Sequence, residues 1–224
     1  MDFPAQALDF FIHLDKHLGE VLKQYSTGTY LILFAIVFCE TGLVVTPFLP
    51  GDSLLFGAGV LASRTGELNP WLLALVFVTA ALAGDNANYF IGKALGPRLF
   101  RNENSKLFQR KHLDRTHAFF ERYGSKTIVI ARFVPIVRTF APFVAGMGRM
   151  TYRRFLAYSV LGACLWVGIF VFGGFFFGRS RVVEENFTVA ILAVIAISLL
   201  PAAWEVLQHY RRRRAAAAGS GAVR

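Results

Sequence analysis

The chain has 224 residues, 55% of them hydrophobic and 17% charged, with a mean hydropathy of +0.48; this balance excludes an ordinary soluble domain and points to an integral membrane protein. The formal net charge of +10 would suit a nucleic-acid binder in a soluble chain. Here the basic residues collect in segments flanking apolar runs, which positive-inside topology explains with no nucleic acid as partner.

Taken in order, the N-terminus carries Asp2 and Asp9 and lacks a basic start leading into an apolar run, so no cleavable signal is expected and the first internal span does the targeting. Residues 1–28 place Phe3, Leu8, Phe11, Leu14, Leu18 and Leu22 at roughly helical spacing. They read as an amphipathic helix, lying on the membrane surface or packed against the bundle. Residues 29–49 form the first apolar run and residues 53–62 a short second one. Ten helical residues rise about 15 Å, half of a hydrocarbon core of about 30 Å, so the second run is too short to cross. Pro47, Pro50 and Gly51 forbid one continuous helix between the runs. Residues 29–63 are therefore expected to form a re-entrant hairpin, and this hairpin contains two carboxylates, Glu40 and Asp52.

Residues 70–91 are long enough to span, interrupted by Gly84-Asp85-Asn86 near the far end. Asp85 and Asn86 read either as a secondary polar path or as groups solvated at the interface. Residues 93–126 are strongly basic, opposed only by Glu103, Asp114 and Glu121, and are expected to lie as a cytoplasmic interfacial segment. Residues 127–147 are a second apolar run, broken by Pro135, Pro142 and Gly146 and carrying Arg132 and Arg138; a second re-entrant hairpin is expected. Residues 155–178 and 187–207 are full-length spans. Arg211 to Arg214 then open a basic tail, 211–224, read as disordered. Cys39 and Cys164 lie within apolar runs and read as small buried hydrophobes, with neither a disulfide nor a metal site implied.

The expected fold is thus an all-α integral membrane bundle: a single membrane domain over residues 1–210, with two opposed re-entrant hairpins and interfacial amphipathic helices. With three full crossings the termini lie on opposite sides. The segment 93–126, the cluster Arg149, Arg153 and Arg154, and the arginine tail then share one face, which the charge rule makes cytoplasmic. One hairpin enters from each side, the layout of inverted repeats whose broken segments mark the substrate site.

A charged side chain at the bilayer centre costs about 2.5–3.5 kcal/mol on insertion scales, so the four intramembrane charges need partners or a wet cavity. Acid in one hairpin facing base in the other meets that need, with Glu40 and Arg132 as a candidate direct pair. Arginine suits phosphate because its planar fork donates two parallel hydrogen bonds and stays ionised. Burial and a neighbouring guanidinium pull a carboxyl's proton affinity in opposite directions, so an anion arriving at the arginines would free Glu40 or Asp52 to take a proton. The plainer reading makes Glu40 and Asp52 fixed counter-ions of Arg132 and Arg138. Gly51 and Gly146 read as turn residues at the hairpin tips. His112 and His117 do not share a helix face, and no nucleophile and base are paired, so neither a metal, a cofactor nor an enzyme is expected.

The run Glu40-Thr41-Gly42 leading to Pro47-Phe48-Leu49-Pro50-Gly51-Asp52-Ser53-Leu54-Leu55, the pair Gly84-Asp85 before Tyr89 and Gly92, then Tyr123-Gly124, Ala131-Arg132-Phe133-Val134-Pro135-Ile136-Val137-Arg138 and Ala145-Gly146-Met147 resemble the DedA family of bacterial inner-membrane proteins. The resemblance covers most of the chain between residues 30 and 178. It implies a multi-pass transporter of the bacterial cytoplasmic membrane with the architecture shared by eukaryotic scramblases. It further implies undecaprenyl phosphate as cargo and protons as coupling ion, with the family's acidic pair at Glu40 and Asp52 and its arginine pair at Arg132 and Arg138. The resulting expectation is a lipid flippase. The alternatives are a flippase or scramblase of another phospholipid, a proton-coupled carrier of small ions, and a membrane assembly factor that transports nothing.

Overall fold

The computed structural model describes residues 28–42, 51–99, 126–148, 150–181, 183, 186–187, 189–194 and 196. The N-terminal amphipathic helix, Pro47 and Pro50, residues 100–125 of the basic segment, the end of the last span and the arginine tail lie outside the described residues. Those described are helical, with no strand among them. In chain order the helices are α1 (Gly28–Gly42), α2 (Gly51–Thr65), α3 (Pro70–Leu99), α4 (Lys126–Ala131), α5 (Pro135–Met147) and α6 (Tyr152–Val167), continued through a π-helical turn (Gly168–Phe172) into α7 (Gly173–Phe177).

Length sorts these helices into two kinds. The stretches Pro70–Leu95 and Tyr152–Phe177 are apolar and long enough to cross a membrane, at 26 residues each. Helices α1 and α2 have 15 residues each, a rise of about 22 Å, and α4 and α5 have 6 and 13. Glycine and asparagine set the turn between α2 and α3. Gly66, at φ 69°, ends α2 in the left-handed region. Asn69 Oδ1 accepts from the amides of Trp71 (2.9 Å) and Leu72 (3.3 Å), and Pro70 takes the first helical position, where its missing N–H leaves no bond unmade.

The structure corrects several of the expected breaks. Gly84-Asp85-Asn86 does not interrupt α3, which runs on through residues 93–99. Pro142 lies inside α5 and does not end it. A proline inside a helix frees one carbonyl, which packed neighbours in a membrane bundle tolerate. Gly51 and Gly146 serve close approach, not chain reversal: Gly51 is the first residue of α2 and Gly146 sits in the last turn of α5, neither at positive φ. Cys39 and Cys164 are exposed rather than buried, because an apolar membrane helix has an outward face as greasy as its packed one and hydropathy does not separate them.

Packing follows a crossed pattern. Helix α3 packs along α1 and α5, while the α6–π–α7 helix packs along α4 and α2. The first member of each short pair therefore lies on the long helix that follows it, and the second member on the other long helix. Glycines bring the backbones together at both crossings. A Cβ on Gly92 would stand 2.8 Å from the carbonyl carbon of Phe143, and one on Gly146 would stand 2.9 Å from that of Tyr89. At the α2 crossing, a Cβ on Gly59 would stand 3.0 Å from the carbonyl carbon of Val171 and one on Gly174 the same distance from that of Phe56. Small residues at such crossings are the membrane substitute for hydrophobic association, since lipid tails are as apolar as leucine. Two arginines tie the far ends of this second crossing: Arg64 Nε donates to Gly178 O (3.0 Å) and Arg179 Nε to Ser63 O (2.8 Å).

The apolar interior falls into two clusters. The larger gathers Leu33 and Val37 of α1, Leu54 to Ala62 of α2, Phe77 of α3 and Trp166 and Val171. The smaller gathers Ile128 and Ala131 of α4, Ala141 and Ala145 of α5, Tyr89 of α3 and Phe155 of α6. Each short pair thus has its own apolar body, and the two long helices run through both. The buried charged residues come from the elements that meet between them.

Candidate functional site: a buried charge cluster

Five ionisable side chains are buried together: Glu40 (1% exposed) on α1, Asp52 (7%) on α2, Asp85 (3%) on α3, Arg132 (5%) just after α4 and Arg138 (8%) on α5. Their positions follow from local structure. Glu40 sits in the last turn of α1 and Asp52 in the first turn of α2. The Gly51 amide donates to Glu40 Oε1 at 3.0 Å. A Cβ on Gly51 would collide with the Glu40 carboxylate, so the absence of a side chain lets that carboxylate lie against the start of α2.

Arg138 is held on both arms of its fork. Its Nη1 donates to Asp52 Oδ1 at 2.7 Å and its Nη2 to Glu40 Oε1. Among the described residues Arg132 is held on one arm only, with Nη1 donating to Asp85 Oδ2 at 2.6 Å. The Ser159 hydroxyl on α6 donates to the same Asp85 oxygen. Trp166, further along α6, lies beside both guanidinium carbons, 5.6 Å from that of Arg132 and 5.2 Å from that of Arg138. Its Nε1–H donates to Asp52 Oδ1 at 2.8 Å. Asn88, one turn beyond Asp85, donates to Thr41 O at 2.6 Å and ties α3 to the end of α1.

The cluster surrounds a narrow cavity lined by Thr41, Asp85, Ile128, Arg132, Arg138, Ala141, Pro142 and Trp166. In the cluster, Arg132 Nη2 and Arg138 Nε are buried with no hydrogen-bond partner among the described residues, as is the acceptor Glu40 Oε2. Leaving a buried charged donor unused is costly, and a site for an anion is one reason to retain it. Three carboxylates face two guanidinia, so full ionisation would leave one negative charge in excess. No group of three or more His, Cys, Asp or Glu able to hold a metal occurs among the described residues.

Opposite charges from the two broken runs do meet, yet with different partners from those expected. Glu40 pairs with Arg138 and not with Arg132, because the start of α5 brings Arg138 to the junction of α1 and α2, whereas the end of α4 turns Arg132 toward α3. Asp85 is not solvated at an interface; it is the buried counter-ion of Arg132. Asn86 is half-buried and accepts from the Tyr152 hydroxyl at 2.9 Å, away from the cluster. Gly51 is part of the site, Gly146 supports the α3–α5 crossing, and of Pro135 only its place at the start of α5 is described.

The residues missed by sequence reasoning are Ser159, Trp166, Asn88 and Thr41. A signal was present: Ser159, Ala163 and Trp166 follow helical spacing on one face of an apolar span, and Asp85, Asn88 and Gly92 do the same on α3. Trp166→Phe should fold and keep a ring beside both arginines while losing the N–H bond to Asp52. We expect a loss of about 1–2 kcal/mol, read as a lower melting temperature in detergent, and an unchanged melting temperature would show that the indole N–H contributes nothing.

Residues 49–176 match the VTT domain. Protein DedA of Escherichia coli (strain K12) is 53% identical over 218 residues, covering 97% of this chain and 100% of that one. The membrane protein Rv0364 of Mycobacterium tuberculosis (strain H37Rv) is 44% identical over 81% of this chain and 80% of its own. Inner membrane protein YqjA of Escherichia coli (strain K12) is 34% identical over 76% of this chain and 78% of its own. No solved structure matches.

Proposed function

This chain is a membrane protein of the DedA family, and from that premise we propose that it moves a phosphate-bearing lipid, undecaprenyl phosphate, across the bacterial inner membrane. The phosphate enters the cavity between α3, α5 and α6 and takes the unused donors of Arg132 and Arg138, while the prenyl chain trails in the bilayer. The observation that carries this reading is the pair of buried guanidinium donors without partners among the described residues, on two arginines that share one cavity and one tryptophan.

Three features support it. The crossed packing of α1, α2, α4 and α5 on the two long helices is what two opposed re-entrant hairpins would produce. On α5, Val137 and Phe140 are exposed while Arg138 and Ala141 are buried, so displacement of that helix would open the site sideways. The excess of acid over base leaves room for one proton, which couples transport to protons if Glu40 or Asp52 takes it up as the phosphate arrives and gives it up as the phosphate leaves.

The second reading, a proton-coupled carrier of small ions, draws support from the cavity itself, whose eight lining residues are all buried. Liposomes containing the purified protein separate the two. With undecaprenyl phosphate on one leaflet, the wild type should move the lipid, and Arg132→Ala should not. Ion flux without lipid movement would replace the first reading with the second, and neither activity in a well-folded protein would favour an assembly role.

A further inference from the structure

We propose that Asp85 is the counter-ion an arriving phosphate displaces, so that Arg132 engages the anion first and Arg138 second. The inference rests on the phosphate reading and adds an order of events and a positioning residue to it.

The asymmetry of the two arginines carries it. Freeing Arg138 would require breaking contacts to both Glu40 and Asp52, and these carboxylates are themselves held by the Gly51 amide and the Trp166 indole. Arg132 has one carboxylate among the described residues, Asp85. Its second terminal nitrogen is already without a partner among the described residues, and its side chain lines the cavity. A phosphate can therefore begin on that nitrogen and complete a two-pronged grip by exchanging a single carboxylate. Asp85 does not become an orphan when this happens, because the Ser159 hydroxyl on α6 still donates to it. Asp85 thus joins α3 to α6 in both conditions and holds Arg132 only in the empty one. When the phosphate leaves, the returning carboxylate takes its place and drives release.

This makes Asp85 a competitor of the substrate. Its removal should tighten binding and slow turnover, a combination that a merely structural residue would not give. The test uses the full-length protein in detergent, with the rise in melting temperature and calorimetric titration reporting affinity for farnesyl phosphate or for inorganic phosphate. Asp85→Asn is expected to bind farnesyl phosphate about tenfold more tightly than the wild type, the factor expected when a competing charge-assisted bond is replaced by a neutral one. Its lipid transport in liposomes should fall by about the same factor. Ser159→Ala, a smaller change that guards against loss of fold, leaves the displaced Asp85 without a donor and should weaken affinity by about two- to threefold. Arg132→Ala should lose binding.

If Asp85→Asn binds no more tightly than the wild type and Ser159→Ala no more weakly, while Arg132→Ala loses binding, displacement of Asp85 is wrong and the phosphate site stands. If the wild type responds to neither compound, both fail together. Equal responses to inorganic and farnesyl phosphate, with Asp85→Asn still tighter, uphold the displacement and assign the site to small anions.

Discussion

Arg138→Ala is expected to abolish transport and to destabilise the protein by about 3–5 kcal/mol, the cost of stranding buried carboxylates without their cation. The side chain is 8% exposed and supplies both Glu40 and Asp52 with a charged donor, so its truncation leaves two acids facing each other across an empty pocket. Stability and activity should separate in a second variant. With Glu40→Gln and Asp52→Asn added to Arg138→Ala, the unpaired charge is gone, and replacing all partners of a buried network is far milder than removing one. The triple variant should regain most of the lost melting temperature in detergent and still fail to move lipid. Should it instead regain transport, the arginine is a structural counter-ion and the phosphate assignment fails.

Alanine at Gly92 or Gly146 should do comparable damage from outside the cluster. The atoms in the way are main-chain carbonyls of Phe143 and Tyr89, which cannot swing aside as a flexible side chain would. The α3–α5 crossing must widen, and overpacking of this kind costs about 1–3 kcal/mol and occasionally more. The functional loss should be larger than the stability loss suggests, because α3 carries Asp85 and α5 carries Arg138, and ion pairs weaken steeply when their elements shift. Gly168→Ala is the control: a Cβ there meets nothing within 4 Å. It should melt within about 1 kcal/mol of the wild type, as expected for glycine to alanine in a helix without a steric penalty. If Gly146→Ala melts and transports like Gly168→Ala, the close crossing does not govern the site.

The charges were legible in the sequence because an arginine or carboxylate within an apolar run has few innocent explanations. Glu40, Asp52, Arg132 and Arg138 could be picked out one by one, and opposite signs in the two broken runs implied that they meet. Which acid meets which base was not legible. That depends on where the ends of α1 and α4 aim, and composition says nothing about direction at a helix end. Asp85 was underrated for a related reason: near the end of a span, hydropathy gives a solvated carboxylate and a buried one the same signature. Trp166 was hidden by abundance, since an indole in an apolar span reads as packing until a carboxylate is found beside its N–H. The glycines were misjudged as turns because at both sites proline stood nearby, whereas the structure uses them for close contact.

The division of the interior into two greasy bodies, threaded by the same pair of long helices, has a mechanical consequence. Where the two bodies adjoin, Phe133 packs against the larger one, and the described residues are otherwise joined by salt and hydrogen bonds, which re-form with new partners more readily than interlocked side chains repack. An exchange of ionic partners there would leave both bodies packed on their shared rails, and neither would have to open its own interior. An anion that supplies those substitute partners would thus be admitted at the expense of ionic contacts and not of the grease on either side.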